Sequence, residues 1–255
     1  MYPVLFKIGP FSIHAYGFAI ALAFLIGTLI SMLYAKREGI KPEYILDLAL
    51  YAIIGAIVGA RLFYVIGTWD QYRENPLKIF FVQEGGLVFL GGLFLGLLVV
   101  VVFARWKGIA LLKLLDVLAP GTSLGYAITR IGCFLNGCCF GLPTELPWGI
   151  KFPFGALAYS YFPDVHIHPT QLYSSAAMFL VFLIVVFLYR KKKFDGYIFF
   201  WWIILYSIYR FLVEFLRFSP IHWLGLTPSQ WMVLVAAALA VWGLVAKSSP
   251  RVKGN

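Results

Sequence analysis

Charge is what this chain lacks. Asp, Glu, Lys and Arg make up 13% of its 255 residues while hydrophobic residues make up 62%, and ordinary soluble domains carry about 25% charged residues. So little polar surface cannot cover a globule in water, which excludes a soluble fold. Also missing are low-complexity linkers, a composition shift that would mark a second domain, and any convincing internal repeat. Without related halves, a transporter built by duplication has no support, and residues 1–255 read as a single domain. Cysteine is nearly absent too, its three residues confined to positions 133, 138 and 139.

What the sequence has instead is apolar stretches of about 20 residues, each enough to cross a bilayer core of about 30 Å as a helix. Seven such stretches run approximately from Ile13 to Tyr34, Tyr44 to Ile66, Leu87 to Ala104, Leu114 to Phe134, Gln171 to Tyr189, Tyr197 to Leu216 and Ser229 to Ala246. The fold class is therefore an all-α integral membrane bundle of about seven transmembrane helices. The first stretch has only Lys7 before it, lacks a convincing small-residue cleavage site and ends at Lys36-Arg37-Glu38. It reads as a retained anchor, not a signal peptide.

Alternate connections differ sharply in basic residues. Lys36, Arg37, Lys41, Arg105, Lys107, Lys113, Arg190, Lys191, Lys192, Lys193, Lys247, Arg251 and Lys253, thirteen of the 21, share one side, and the excess of Lys and Arg in cytoplasmic loops puts that side inside. The N-terminus and the connection at about 136–170 then lie outside, with the C-terminus in the cytoplasm. A basic face beside anionic headgroups accounts for the net charge of +10 with no nucleic-acid partner. In the long connection, Trp148-Gly149-Ile150-Lys151-Phe152 and Tyr159-Ser160-Tyr161-Phe162 suit either an interfacial aromatic belt or an entrance for an amphipathic substrate. Gly55 with Gly59, Gly92 with Gly96, and Gly121 with Gly125 place paired small residues on one helix face, a signal for close packing.

Arg61, Arg130 and Arg210 fall inside apolar stretches, near the outer ends of the second, fourth and sixth. An arginine at mid-span costs about 2.5 kcal/mol or more, so such residues face a bundle interior or a cavity, or serve a structural ion pair. Arg210, Glu214 and Arg217 stand at i, i+4 and i+7 on one helix stripe, where the carboxylate can hold one guanidinium while the other meets a ligand. His14, Tyr16, Glu84, Asn136, His168, Gln171 and Gln230 gather at the same level. Several fixed guanidinium groups beside the outer leaflet suit an anionic headgroup, because each binds phosphate through parallel hydrogen bonds. Membrane phospholipid is the nearest such ligand.

These residues also resemble a known family, the prolipoprotein diacylglyceryl transferases of bacteria. The resemblance runs through Ile8-Gly9-Pro10, His14-Ala15-Tyr16-Gly17, Gly59-Ala60-Arg61, Glu84-Gly85-Gly86 with Gly91-Gly92, and Asp116-Val117-Leu118-Ala119-Pro120. It continues in Arg130-Ile131-Gly132-Cys133-Phe134-Leu135-Asn136-Gly137, Trp148-Gly149, His168-Pro169-Thr170-Gln171-Leu172-Tyr173, and Arg210-Phe211-Leu212-Val213-Glu214-Phe215-Leu216-Arg217. Departures stand at Leu90, where the family pattern has a His before the Gly-Gly, at Cys133 and Cys138, where it has Asn and Glu, and at Ser174, where it has Glu.

The resemblance implies transfer of diacylglyceryl from phosphatidylglycerol to the lipobox cysteine of a prolipoprotein in the bacterial cytoplasmic membrane. The products are a thioether and glycerol phosphate, and no cofactor is required. Arg130 and Arg210 are the expected phosphate ligands, with Glu214 fixing Arg210 and Asn136 donating a further hydrogen bond. Tyr16 joins them as a catalytic candidate, and His14, Arg61, His168, Gln171 and Arg217 as substrate-binding candidates. With Leu90 unable to titrate, deprotonation is left open among Tyr16, His14 and His168 and a local positive potential that lowers the thiol's pKa. Two other readings stay open: a related transferase with another acceptor or donor, and an anionic-lipid binder or transporter without chemistry. For Cys133, Cys138 and Cys139, packing or an outward-side disulfide is the expectation, since a structural zinc site wants four ligands and no fourth is evident, although His166 or His168 could approach.

Overall fold

The computed structural model describes residues 4–9, 11–81 and 85–248. Seven of its helices are long and apolar enough to cross a membrane, and the chain is a multi-pass membrane protein. They are α1 (Ala15–Arg37), α2 (Pro42–Gly67), α3 (Phe89–Trp106), α4 (Leu111–Asn136), α6 (Thr170–Tyr189), α7 (Tyr197–Glu214) and α8 (Pro228–Ser248). No boundary read from the apolar stretches moves by more than three residues. Two smaller features escaped that reading: an antiparallel hairpin of β1 (Val4–Ile8) and β2 (Phe11–His14), and a one-turn helix α5 (Leu157–Tyr161). Both are too short for hydrophobic periodicity to register. Ile13, assigned by its hydropathy to the first span, pairs with Phe6 in the hairpin.

The chain forms two compact units, Met1–Ser31 with Leu115–Asn255, and Met32–Leu114. In the second, α2 packs on α3 through glycines. A side chain at Gly59 would overlap the Gly91 carbonyl, and one at Gly92 would meet the Ala56 carbonyl. Backbones therefore approach where lipid offers no hydrophobic drive for helices to associate. In the first unit α1 packs on α4 the same way, Gly27 against Gly121 and Gly132 against Ala19.

Polar capping sets where α7 begins. Gly196 adopts a left-handed φ of 101°, and Asp116, fully buried in α4, accepts hydrogen bonds of 2.8 Å from the Gly196 and Phe199 amides. A carboxylate there satisfies orphan donors at the positive end of the helix dipole. Lys192 balances its charge at 3.1 Å. These contacts give Asp116, the first residue of the Asp116-Val117-Leu118-Ala119-Pro120 motif, an architectural role.

Candidate active site

The ends of α4, α6, α7 and α8 and the start of α1 bring most of the candidate residues into the first unit. Arg130 stands six residues before the end of α4, partly buried. Among the described residues its guanidinium has one hydrogen-bond partner, the Tyr126 hydroxyl one turn earlier, with its Cζ 4.6 Å from the Tyr126 ring centre. Tyr126 in turn lies 3.4 Å, hydroxyl to hydroxyl, from Tyr209. A guanidinium has five donors, so Arg130 is positioned by the phenol and has most of its donor capacity in hand.

Arg210 is differently placed. It is 9% exposed, its Nη1 pairs with Glu214 Oε2 at 2.8 Å, and its Nη2 donates to Ser229 Oγ at 3.1 Å. Thr227 Oγ1 donates to the other Glu214 oxygen at 3.0 Å, and Gln230 Oε1 receives the Thr227 amide at 2.9 Å. These bonds tie the end of α7 to the start of α8. Breaking this buried pair would leave an uncompensated charge.

After α4 the chain turns back through Gly137 and Cys139, both in left-handed conformations with φ of 75° and 59°. Buried side chains at the start of α6 hold this turn: Gln171 Nε2 donates to the Cys138 carbonyl at 2.7 Å and Thr170 Oγ1 to the Cys139 carbonyl at 2.9 Å. The Cys133, Cys138 and Cys139 sulfurs converge within 4.8 Å of one another, and all three thiols are free. Hydrogen bonds from Cys133 and Cys138, outweighing burial and aided by the Arg217 and Arg130 charges, push the Cys139 thiol below the usual thiol range. Cys138 goes the other way. Its hydrogen bond with Cys133 favours the thiolate, but the one with Cys139 and burial prevail and push it up, against a lesser opposing contribution from Asn136.

Tyr16, 38% exposed on the first turn of α1, lies in electrostatic range of the three cysteines and of Arg130. Arg217 follows α7 and pairs by backbone with Gly141. His168 Nδ1 sits 3.3 Å from the Tyr173 hydroxyl, which receives the Trp148 indole N–H at 2.8 Å. His14 ends β2, exposed. Between Trp148 and His168 in the sequence, Phe154, Leu157, Tyr159 and Pro163 line an open groove of about 620 Å³.

Arg61 belongs to the other unit and its donors are engaged. Nε donates to the Ile79 carbonyl at 2.8 Å, Nη1 to Gly85 at 2.7 Å and Gly86 at 3.2 Å, and Nη2 to Lys78 at 2.6 Å and Phe81 at 3.3 Å. This pattern organises a connection. Leu90 is also in this unit, 57% exposed. Glu84, Pro10, Arg251 and Lys253 lie outside the described residues.

The model of the prolipoprotein diacylglyceryl transferase family matches residues 3–246. The chain belongs to this family. A phosphatidylglycerol–prolipoprotein diacylglyceryl transferase of Finegoldia magna is 38% identical over 243 residues, covering 95% of this chain and 93% of that protein. The proteins of the same name from Synechococcus elongatus and Clostridioides difficile are 37% and 35% identical, each covering 95% of this chain, and 86% and 93% of their own lengths. Each alignment thus runs through both compact units of this chain.

Sequence reasoning missed Tyr126, Thr227 and Ser229. Tyr126 carried a signal, since it precedes Arg130 by one helical turn. Thr227 carried one too, since Thr227 and Gln230 stand at capping-box spacing before α8 and bond each other, but its bond to Glu214 and that of Ser229 to Arg210 carried none, because those partners are distant in sequence.

Proposed function

We propose that this protein transfers diacylglyceryl from phosphatidylglycerol to the lipobox cysteine thiol of a prolipoprotein, releasing glycerol phosphate, and so performs the first step of bacterial lipoprotein maturation. Family membership over nearly the whole chain supports the activity. The observation that carries the site is Arg130, held by a single phenol beside a cluster of thiols and Tyr16. A fork of free N–H donors in a low-dielectric site fits a phosphate that gains charge as it departs.

In this reading Arg130 receives the leaving phosphate, with Asn136 beside Cys138 and Arg217 in electrostatic range of Cys139. Arg210 acts as a positioning residue, its charge held by Glu214 while it keeps α7 against α8. Tyr16 and His14 contact the headgroup or relay a proton, His168 shapes the entrance beside Trp148, and buried Gln171 acts from behind by holding the Cys138 turn. Arg61 holds the connection before α3. The acceptor's signal peptide enters along the groove at Phe154 and Leu157.

The basic side faces the cytoplasm and the site opens to the outer face of the bacterial cytoplasmic membrane, as the distribution of Lys and Arg supports. Reporter fusions check this: a periplasm-dependent reporter should be active after Pro153 and inactive after Lys192. The activity itself is tested by incubating pure protein with phosphatidylglycerol and a lipobox peptide. A diacylglyceryl mass gain on the peptide cysteine, with matching glycerol phosphate, is expected. Headgroup release without peptide modification, or neither, would sink the assignment.

A further inference from the structure

Among the described residues, Cys133, Cys138 and Cys139 are the one group of metal-ligating side chains brought together. Three sulfurs around Zn²⁺, at bonds of about 2.3 Å, stand about 3.8 Å apart, so sulfurs within 4.8 Å of one another need only small side-chain rotations to close on an ion. The backbone favours the convergence. Cys139 keeps a left-handed φ of 59° that a non-glycine residue adopts only when its surroundings impose it, and Gln171 and Thr170 impose it through the two carbonyls of the turn.

The donor set is selective. Thiolates prefer zinc and other soft or borderline ions to Mg²⁺ or Ca²⁺, and an odd number of thiols cannot all be consumed by disulfides within one chain. Three thiolates and Zn²⁺ leave a single negative charge, which Arg130 and Arg217, both in electrostatic range of Cys139, offset. No imidazole or carboxylate joins the group among the described residues. Three protein ligands and an open tetrahedral position are the arrangement of catalytic zinc, not of structural zinc.

We propose that Cys133, Cys138 and Cys139 hold a Zn²⁺ ion whose fourth position takes the acceptor thiol of the substrate. The fourth ligand, though not the trithiolate itself, rests on the transferase reading. By sequence a metal is disfavoured because a fourth ligand is missing; here the substrate supplies it.

On coordination the acceptor S–H bond breaks, its proton passes to water, and its sulfur becomes a zinc-bound thiolate at neutral pH without a separate protein base. A sulfur lone pair then forms the C–S bond to the glyceryl carbon. The C–O bond to phosphate breaks, its electron pair stays on the phosphate oxygen beside Arg130, and glycerol phosphate leaves. The neutral thioether is a poorer ligand than a thiolate and releases the product.

Cobalt reports on such a site by its colour. Full-length protein in detergent, stripped with chelator under a mild reductant, is titrated with Co²⁺ and the absorption followed. Stoichiometric uptake with thiolate-to-cobalt charge-transfer and tetrahedral bands is expected, lost in C133S/C138S/C139S and weakened in C139S. A lipobox peptide should then raise the charge-transfer intensity by about a third, as a fourth sulfur joins three, while the same peptide with Ser for Cys should not. Stripped wild-type protein, whose fold is not in question, should lose transfer and regain it with Zn²⁺.

Uptake no greater than that of the triple variant, or cobalt bands blind to the peptide thiol, overturns the proposal. So does transfer equal with and without metal, which leaves the transferase reading standing. Cobalt bands that respond to the peptide thiol in a protein unable to use phosphatidylglycerol support the metal site and remove the transferase reading instead.

Discussion

Arg61 and Arg130 are twins by sequence and opposites in structure. Each stands in an apolar helix, six residues before its last residue, and each bears the same cost of a charge near lipid. Arg61 meets that cost with five main-chain carbonyls and is used up in building a connection. Arg130 meets it with a phenol and a ring face. The difference teaches that a buried cation marks a functional site only when its donors are not already committed to the backbone.

Removing Arg61 should have the largest effect on the protein as a whole. Arg61→Ala removes five hydrogen bonds, one of them to a Lys78 carbonyl that keeps the Phe81 amide, and at about 1 kcal/mol net for each bond the loss is on the order of 5 kcal/mol. Little folded protein should survive solubilisation, as size-exclusion profiles in detergent will show. An Arg61→Ala protein that folds normally and loses only activity would erase the contrast and restore Arg61 to the substrate.

Glu214→Gln comes next, because it leaves Arg210 buried without its counter-charge, a defect worth about 3–5 kcal/mol. The melting temperature should fall while turnover per folded molecule changes much less. If rate collapses and stability holds, Arg210 belongs with Arg130 as a direct ligand of phosphate.

Arg130→Lys keeps the charge and removes the planar fork. Loss of one contact to the developing charge is worth roughly 3 kcal/mol, or on the order of a hundredfold in rate. Turnover should drop with the melting temperature nearly unchanged, the reverse of Glu214→Gln. Near-normal turnover would make Arg130 another structural arginine.

The smallest effect is expected of Tyr126→Phe, which keeps the ring under Arg130 and removes the hydroxyl that orients it. A hydrogen bond of this kind contributes about 1 kcal/mol, so transfer should slow roughly fivefold. Rescue of phosphatidylglycerol saturation at higher concentration would show that the hydroxyl acts on binding.

The seven spans and the three intramembrane arginines were legible because lipid enforces them locally. A helix satisfies its own backbone within a few residues, and a charge in an apolar run is conspicuous wherever the chain goes. The resemblance to the transferase family was legible for a similar reason, being carried by short motifs in order along the chain. Which arginine stays available was not legible, since the Arg61 partners lie 17 to 25 residues away and the Arg210 partner Ser229 lies 19 away. Nor did the spacing of Cys133, Cys138 and Cys139 show that their sulfurs meet: that follows from two left-handed residues and from Gln171 and Thr170, which reach the turn from more than 30 positions downstream. Hydrophobic length is a property of a segment, whereas the donors a side chain has left depend on everything the fold brings beside it, and that was decided only in three dimensions.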